Sequence, residues 1–185
     1  MTQPIQFPQG AINLISGKCM NLKGNDIDTD RIIPARFLKC VSFDNLGNYV
    51  FADDRTEKKG QHAFDLKANQ NCSILIVNNN LGCGSSREHA PQALMRWGIR
   101  GIIGHSFAEI FYGNCLNLGI PCITMAEEEV YKLQMEVDKD NSSNCFIDLE
   151  NKTIKTTSNW EKTWTKIIDH SARNLSKFVS GGNKV

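Results

Sequence analysis

The stretch Ser73-Ile-Leu-Ile-Val77 determines how the rest of the sequence is interpreted. It is apolar after its first residue and has the length of a strand, which is typical of a strand buried on both faces of a parallel sheet. Gly82 and Gly84 break the pattern soon after it, and the helical segment Pro91–Trp97 follows, with Gly98 as its stop. We therefore expect a central parallel strand followed by a glycine loop and a helix.

The same order of elements continues along the chain. A second strand is predicted at Ile99–Ile103, and a helix at Ser106–Leu118 has a Ser-x-x-Glu start and Gly119 as its stop. A third strand is predicted at Ile120–Met125. Strand, helix, strand, helix, strand over about fifty residues predicts an α/β fold whose parallel sheet is covered by helices.

The flanking segments complete one predicted domain, 1–185. We expect a strand or strand pair at Ile12–Leu22, a helix at Glu127–Val137, a hairpin from Cys145 to Lys155, and a terminal helix at Trp160–Phe178. The polar segment from about 45 to 70 is interpreted as a surface excursion that carries little core, and the residues from about 179 as a frayed tail.

Composition restricts the class of protein. The 185 residues are 41% hydrophobic and 22% charged, as expected for one globular domain with a sizeable core. With 21 Lys plus Arg and 20 Asp plus Glu, the net charge is +1, too small to attract nucleic acid or anionic lipid. The sequence shows neither a signal peptide nor an apolar run long enough for a membrane span. We expect a cytoplasmic protein.

Seven cysteines raise the question of a metal site. They lie at positions 19, 40, 72, 83, 115, 122 and 145, and no two form a Cys-x-x-Cys pair. That spacing argues against a local zinc or iron-sulfur site and favours reduced, mostly buried thiols. We expect this chain to hold no metal.

The loop Leu81-Gly-Cys-Gly-Ser-Ser-Arg-Glu-His-Ala-Pro91 carries the candidate chemistry. It lies at the carboxyl end of the central strand, where ligands collect in parallel sheets, and beside a helix N-terminus, which favours anions. It lacks the glycines of a dinucleotide fingerprint and the Gly-Lys-Ser/Thr of a P-loop. Arg87, next to Ser85 and Ser86, offers a planar fork for a carboxylate. The geometry of the loop therefore predicts binding of a carboxylate or a phosphate, and Arg87 favours a small carboxylate.

Simpler interpretations of the same residues stay open. Ser85 and Glu88 have capping-box spacing, although a helix starting at Ser85 would hold Pro91 in its second turn, where the ring interferes with hydrogen bonding. Arg87 could form a surface ion pair with Glu88 or another acid. His89 is more often a packed or hydrogen-bonded residue at such a position than a general base.

Three blocks of the sequence resemble one family. The Leu81–Pro91 loop is similar to the signature of the swivel domain of aconitase-type hydro-lyases. The Gly24–Leu38 block, with Asp-Thr-Asp at 28–30, resembles the N-terminal segment of the stand-alone small subunits in that family, and Ile102–Cys115 matches a third block in place and order. The resemblance implies an aconitase-type swivelling β/β/α domain. It also implies a large partner subunit that holds a [4Fe-4S] cluster.

The resemblance also implies a reaction. Chain length and the Phe37-Leu-Lys-Cys-Val41 continuation favour the branch that interconverts 2-isopropylmalate and 3-isopropylmalate through 2-isopropylmaleate in leucine biosynthesis. Homoaconitase-type and citraconate- or methylmalate-type hydro-lyases remain alternatives, because the residues after Leu38 depart from the pattern of many bacterial small subunits. A non-catalytic RNA-binding or regulatory relative is a more remote alternative.

Roles for individual residues follow from the same resemblance. Ser85 matches the serine that acts as the catalytic base, and Arg87 matches the arginine that binds the substrate carboxylate. Ser86 is expected to help orient that carboxylate. Thr29 and Asp30 match positions that reach the site from the first block, with Asp30 organising hydrogen bonds. The alternative for these two is a turn stabilised by Asx-type hydrogen bonds.

Overall fold

The computed structural model describes residues 11–39, 42–140, 142–158 and 160–164, which form one mixed sheet with helices on both faces. The strands are β1 (Leu14–Leu22), β2 (Cys72–Val77), β3 (Gly101–Gly104), β4 (Cys122–Thr124), β5 (Asn144–Asp148), β6 (Thr153–Thr156) and β7 (Glu161–Thr163). The α-helices are α1 (Thr29–Ile32), α2 (Ala52–Glu57), α3 (His89–Trp97), α4 (Glu109–Asn117) and α5 (Glu127–Lys139). Short 3-10 turns cover Ala35–Phe37, Leu46–Tyr49 and Lys67–Asn69. Within these ranges, no helix is both long and apolar enough to cross a membrane.

The sheet has a parallel half and an antiparallel half. Its order is β4-β3-β2-β1-β5-β6-β7, and β1 to β4 run parallel, whereas β5, β6 and β7 add antiparallel strands beyond β1. The predicted α/β fold with a parallel core is confirmed, as is the hairpin of β5 and β6. Because the parallel strands follow one another in one direction, right-handed crossovers place their connecting helices on one face.

The packing of β2 explains why its last four residues are all apolar. Leu75 and Val77 pack into the core beneath α3 and α4, whereas Ile74 and Ile76 pack into the core on the opposite face, beneath α5. Successive side chains of a strand point to opposite faces, so a strand covered on both sides needs apolar residues at every position. The prediction of a doubly buried strand is therefore confirmed.

The prediction that residues 45 to 70 carry little core is wrong. Leu46, Val50, Phe51 and Phe64 are at most 4% exposed and belong to the core on the α3 side. The segment contains α2, and Gly47 lies so close to the carboxyl end of α3 that a Cβ there would stand 2.6 Å from backbone atoms. A few apolar residues spaced among many polar ones anchor this segment, so its average polarity is misleading.

The predicted terminal helix begins in a region that the structure shows as a strand. Glu161–Thr163 pair with β6 as β7, and Trp164 is buried in the core beneath α5. The helix prediction for these residues is wrong, because a short polar run gains backbone hydrogen bonds from the free edge of β6. The remainder of that prediction, and the tail predicted from about 179, lie outside the described residues.

Candidate active site

Three loops meet at the carboxyl edge of the parallel strands. One follows β1 and carries the Asp-Thr-Asp block, one follows β2 and carries the two glycines, and one leads from β3 into α4. Isolated parallel bridges join Asp28 to Cys83 and Leu81 to Phe107, so the glycine loop touches both neighbours. Loops at this edge are where open parallel sheets bind ligands.

Main-chain hydrogen bonds hold the three loops together. The amide of Thr29 donates to the carbonyl of Cys83 at 2.9 Å, and the amide of Gly82 donates to the carbonyl of Ile27 at 2.7 Å. On the other side, the amide of Ala108 donates to the carbonyl of Leu81 at 3.0 Å. The polar side chains of the glycine loop are thus carried on a backbone fixed from both sides.

Gly82 is required by both conformation and space. Its φ is +81°, and a Cβ there would stand 2.1 Å from Cγ of Phe111, a clash that the buried ring cannot avoid. Gly84 has φ +88° but more room, since its nearest neighbour would be Cβ of Asp28 at 3.4 Å. Close packing of Gly82 on Phe111 brings the loop against the start of α4.

The three residues of the Asp-Thr-Asp block have different roles. Asp28 caps α1, because its Oδ1 accepts a hydrogen bond from the amide of Arg31 at 2.7 Å. Thr29 is buried, and its hydroxyl donates to the carbonyl of Ser85 at 2.8 Å. Asp30 forms an ion pair with Arg87. The local turn interpretation fits Asp28, whereas Thr29 and Asp30 reach across to the glycine loop.

Arg87 is held at the centre of the site. Its side chain is 19% exposed and pairs through one guanidinium nitrogen with the carboxylate of Asp30. Among the described residues the guanidinium has no other hydrogen-bond partner. The ion pair left open with Glu88 or another acid therefore exists, and its partner is Asp30 rather than Glu88. The remaining N–H groups of the guanidinium can donate hydrogen bonds to a carboxylate of a ligand.

Ser85 and Ser86 are exposed and lie before the helix rather than at its start. The helix α3 begins at His89, its N-cap is Glu88, and no side chain caps it, so the capping-box interpretation of Ser85 is wrong. Pro91 is the third residue of α3. The first backbone N–H groups of a helix have no acceptor within the helix, so the missing N–H of proline costs no hydrogen bond there. No hydrogen bond of either serine hydroxyl occurs within the described ranges, which leaves both available to a ligand.

These residues share one pocket. A depression of about 200 Å³ is lined on one side by Thr29, Ser85, Ser86 and Arg87. A second wall is formed by 108–111, at the amino end of α4. All five predicted site residues are therefore close together, since Asp30, although it does not line the pocket, pairs with Arg87.

The α4 wall was not predicted as part of the site, because the start of α4 was misplaced. Ser106 does not cap the helix; its hydroxyl accepts from the amide of Asn80 at 2.9 Å and donates to the side chain of Asn79. The helix begins at Glu109, with Ala108 in an extended conformation before it. The position of these residues in the chain could have predicted their place in the site. They follow β3, which runs parallel to β2, so the carboxyl ends of both strands lie at the same edge of the sheet.

Two other side chains of the loop are poorly suited to catalysis. Partial burial, and then the nearby carboxylate of Asp28, raise the pKa of the Cys83 thiol, which therefore stays protonated. The ring of His89 packs edge-on against Phe43, with ring centroids 5.0 Å apart. Neither group contributes a base to the pocket.

The described residues do not fit the donor set of an iron-sulfur cluster. Such a cluster needs three or four thiolates converging on one point. Six described cysteines are free thiols and five of them are buried, and within the described part of the chain no three His, Cys, Asp or Glu side chains converge as metal ligands. Cys40 lies outside the described residues.

Comparison with protein families and solved structures identifies the fold. The aconitase C-terminal domain family matches residues 11–128, which include all three loops of the site. The structure is also similar to the crystal structure of 3-isopropylmalate dehydratase from Methanocaldococcus jannaschii. The TM-score is 0.62 at 28% identity, covering 92% of this chain and 90% of that one. The expected aconitase-type fold is thereby confirmed.

Curated relatives give a more specific similarity. The 3-isopropylmalate dehydratase small subunit of Synechocystis sp. is 54% identical over 143 residues, or 77% of this chain and 72% of that protein. The small subunit of the same name from Thermus thermophilus is 46% identical over 145 residues, with the same coverage. The chain belongs to the aconitase C-terminal domain family, in the group whose curated members are named 3-isopropylmalate dehydratase small subunits.

Proposed function

We propose that this chain is the small subunit of a two-chain hydro-lyase that interconverts 2-isopropylmalate and 3-isopropylmalate through 2-isopropylmaleate in leucine biosynthesis. One observation carries the proposal: the hydroxyl of Ser85 and the guanidinium of Arg87 line one pocket at the carboxyl edge of the sheet. The names of the relatives support the substrate. The proposed location is the cytoplasm, which agrees with the six described cysteines being free thiols.

Arg87 binds a carboxylate of the substrate in this proposal. Its planar fork can donate two parallel hydrogen bonds to one carboxylate, which fixes both position and orientation. Asp30 orients the guanidinium from behind, and Ser86 offers a hydroxyl beside it. The chain thus supplies the positive charge that a dicarboxylate needs on this side.

Ser85 moves the proton. As the alkoxide, it takes a proton from the carbon next to the carboxylate; the electrons of that C–H bond form the double bond, and hydroxide leaves from the neighbouring carbon, so that the elements of water are lost. Rehydration completes the isomerisation: hydroxide adds to the carbon that lost the proton, and Ser85 gives its proton to the carbon that lost the hydroxyl group. A serine hydroxyl is hardly ionised at neutral pH unless its anion is stabilised. The positive charge of Arg87 and main-chain N–H groups of the loop would supply that stabilisation.

A partner subunit completes the site. Pockets for small ligands usually measure about 300 to 1,000 Å³, and the depression here, about 200 Å³, is smaller and partly open. We assign a [4Fe-4S] cluster to the large subunit, where it supplies the Lewis acid that a leaving hydroxyl requires. The assignment rests on the family relationship and on the small-subunit names of the relatives.

Reconstitution tests the proposal. This chain is combined anaerobically with candidate large subunits and assayed with 2- and 3-isopropylmalate, citrate, homocitrate and citraconate. We expect turnover of the isopropylmalates by the pair and none by either chain alone. Activity of this chain alone would overturn the two-chain proposal, and a preference for homocitrate or citraconate would reassign the substrate.

A further inference from the structure

Ser85, the proposed base, follows a point in the chain where the backbone is free to turn. Gly84 precedes it directly, with φ +88°. Glycine adopts many backbone angles at little steric cost, so it does not itself fix the direction of the residue that follows. Gly84, Ser85 and Ser86 are also exposed, so packing does not hold them. The direction of the Ser85 side chain must therefore be fixed by contacts from another part of the chain.

Thr29 supplies two such contacts, one on each side of Gly84. Its amide donates to the carbonyl of Cys83 at 2.9 Å, and its hydroxyl donates to the carbonyl of Ser85 at 2.8 Å. Thr29 is 2% exposed and is the first residue of α1, so packing fixes its own position. Its β-branched side chain also has few accessible rotamers. One buried residue thus holds the carbonyls before and after the glycine.

The hydrogen bond to the Ser85 carbonyl also sets the direction of the amide that follows it. In a trans peptide the C=O and the next N–H lie in one plane and point in opposite directions. The N–H of Ser86 therefore points away from the Thr29 hydroxyl. Within the described ranges, the main-chain amides of Ser86 and Arg87 donate no hydrogen bond, so both are available to a negative charge. Amides stabilise an oxyanion most when their direction is fixed in advance.

We infer that Thr29 is a positioning residue for Ser85: its hydroxyl fixes the Ser85 peptide, and with it the serine side chain and the amides that stabilise the alkoxide. This inference rests on the proposed function and deepens it. The alternative is that Thr29 binds the substrate directly, because it lines the pocket. Its single hydroxyl proton is already donated to Ser85, however, so none is left for a substrate carboxylate, which only accepts.

Thr29→Val tests this role on the reconstituted complex, because valine keeps the branched shape and replaces the hydroxyl with a methyl group. We expect kcat for 3-isopropylmalate to fall about 10- to 100-fold, because a small misplacement of a reacting group costs up to about 100-fold. KM should change less than about threefold, since the lost interaction acts in the transition state. Thr29→Ser restores the hydroxyl and should keep kcat within about threefold of wild type.

A double-mutant cycle with Ser85→Ala shows whether Thr29 acts through the serine. If it does, Thr29→Val should change kcat less than about twofold in the Ser85→Ala background, because the group that it positions is gone. The full loss in that background would overturn the inference. A rise in KM as large as the expected fall in kcat would overturn it too, because Thr29 would then contact the substrate itself.

Thr56→Val is the matched control, because the hydroxyl of Thr56 also donates to a carbonyl at 2.8 Å, that of Ala52, but lies in α2 and does not line the pocket. It should leave kcat and KM unchanged. Thr29→Ala, which also lacks the hydroxyl, takes the place of Thr29→Val if the valine variant does not fold. A wild-type kcat in the folded variant would overturn the inference. Failure of the wild-type complex on both isopropylmalates would instead overturn the proposed function.

Discussion

Two polar regions of this chain are similar in composition and opposite in role. The site loops, 24–30 and 81–88, carry charged and hydroxyl side chains that face a pocket, and their backbone is fixed by hydrogen bonds to each other. The segment 45–70 is equally polar, yet it buries Phe51 and Phe64 and packs against the end of α3. Polarity alone therefore does not separate a functional region from a structural one.

The difference lies in what each region would lose on mutation. The hydroxyls of Ser85 and Ser86 make no hydrogen bond within the described ranges, so removing one should affect turnover more than stability. Apolar side chains of 45–70 are fully packed, and removing one should affect stability more than turnover. Both halves of this contrast can be measured.

Ser85→Ala should give the largest effect. If Ser85 is the base, kcat should fall by about 10² to 10⁴, which corresponds to about 3 to 5 kcal/mol in the activation barrier. The exposed hydroxyl has no hydrogen bond within the described ranges, so Tm should stay within about 1 °C of wild type. Steady-state kinetics of the reconstituted complex and thermal melting of the chain measure the two quantities.

Ser86→Ala is the control for this prediction, because it removes a neighbouring hydroxyl from the same pocket. It should cost less than Ser85→Ala. Near-normal turnover with a lowered Tm in Ser85→Ala would mean that Ser85 is a structural residue, and the contrast between the two regions would fail.

Phe51→Ala should show the opposite behaviour. Phe51 is fully buried, its ring packs 5.0 Å from that of Phe64, and its amide donates to the carbonyl of Ile32 at 2.9 Å. The cavity left by the ring should lower the free energy of unfolding by about 3 to 5 kcal/mol. Urea denaturation measures this loss, and Leu66→Ala, at an exposed position in the same segment, should cost less than about 0.5 kcal/mol.

Turnover distinguishes the two interpretations of that result. The folded fraction of Phe51→Ala should keep a kcat within a few-fold of wild type, since Phe51 does not line the pocket. A loss of kcat comparable to that of Ser85→Ala at a temperature where the variant is folded would contradict a purely structural role.

The sequence predicted the parallel core well and the edges of elements less well. Strand β2 and the helix after it were found from periodicity and glycine stops, because burial on both faces leaves a direct signal in the sequence. Thr29 and Asp30 could be placed beside Ser85 and Arg87 because parallel strands end at one edge and because the motifs resembled a known family.

The predictions that were wrong have physical causes. The core of 45–70 depends on a few apolar residues spaced among charges, a pattern with no single period, and β7 exists only because β6 offers an edge for pairing. The α4 wall was not predicted because Ser106 does not cap the helix. Its hydroxyl instead forms a hydrogen bond that connects the loop after β2 to the loop after β3. Tertiary contacts determine the core of 45–70, the strand β7 and the start of α4. Such contacts cannot be read from the local sequence.

His62 makes the structural region sensitive to pH. It is buried between Phe51 and Phe64, and the amide of Phe64 donates to its Nδ1 at 3.3 Å. Burial first, and then the charge of Lys58, lower the pKa of His62 from 6.5 to about 4. The unfolded chain therefore takes up the proton before the folded chain does, and stability should fall as the pH drops from about 6.5 to about 4.

The loss should reach at most about 3 kcal/mol at the acid end, by linkage of the two pKa values. Urea denaturation at pH 7.5, 5.5 and 4.5 measures it. His62→Gln should flatten this part of the profile whatever its effect at pH 7.5, because glutamine does not titrate. An unchanged profile in His62→Gln would show that other groups cause the acid sensitivity.

A pair of arginines gives the finest test of the contrast, because one pairs with an aspartate of the site and the other pairs with an aspartate of the segment 45–70. Arg87 pairs with Asp30 in the site, and Arg31 pairs with Asp54 of α2 through two of its nitrogens, at 2.8 and 3.2 Å. Lysine keeps the charge but loses the planar fork. Arg87→Lys should lower kcat/KM about 10- to 100-fold, or about 1.4 to 2.7 kcal/mol, with little change in Tm.

Arg31→Lys should instead cost about 1 kcal/mol of stability or less, since its side chain is partly exposed and such pairs contribute little. Its kcat/KM should match that of wild type at a temperature where both are folded. Equal kinetic losses in the two variants would mean that the α1 backbone transmits any change at Arg31 to Asp30. The site and the segment would then act as one unit, because Asp30 and Arg31 are adjacent residues of α1, the first paired with Arg87 of the site and the second with Asp54 of the segment.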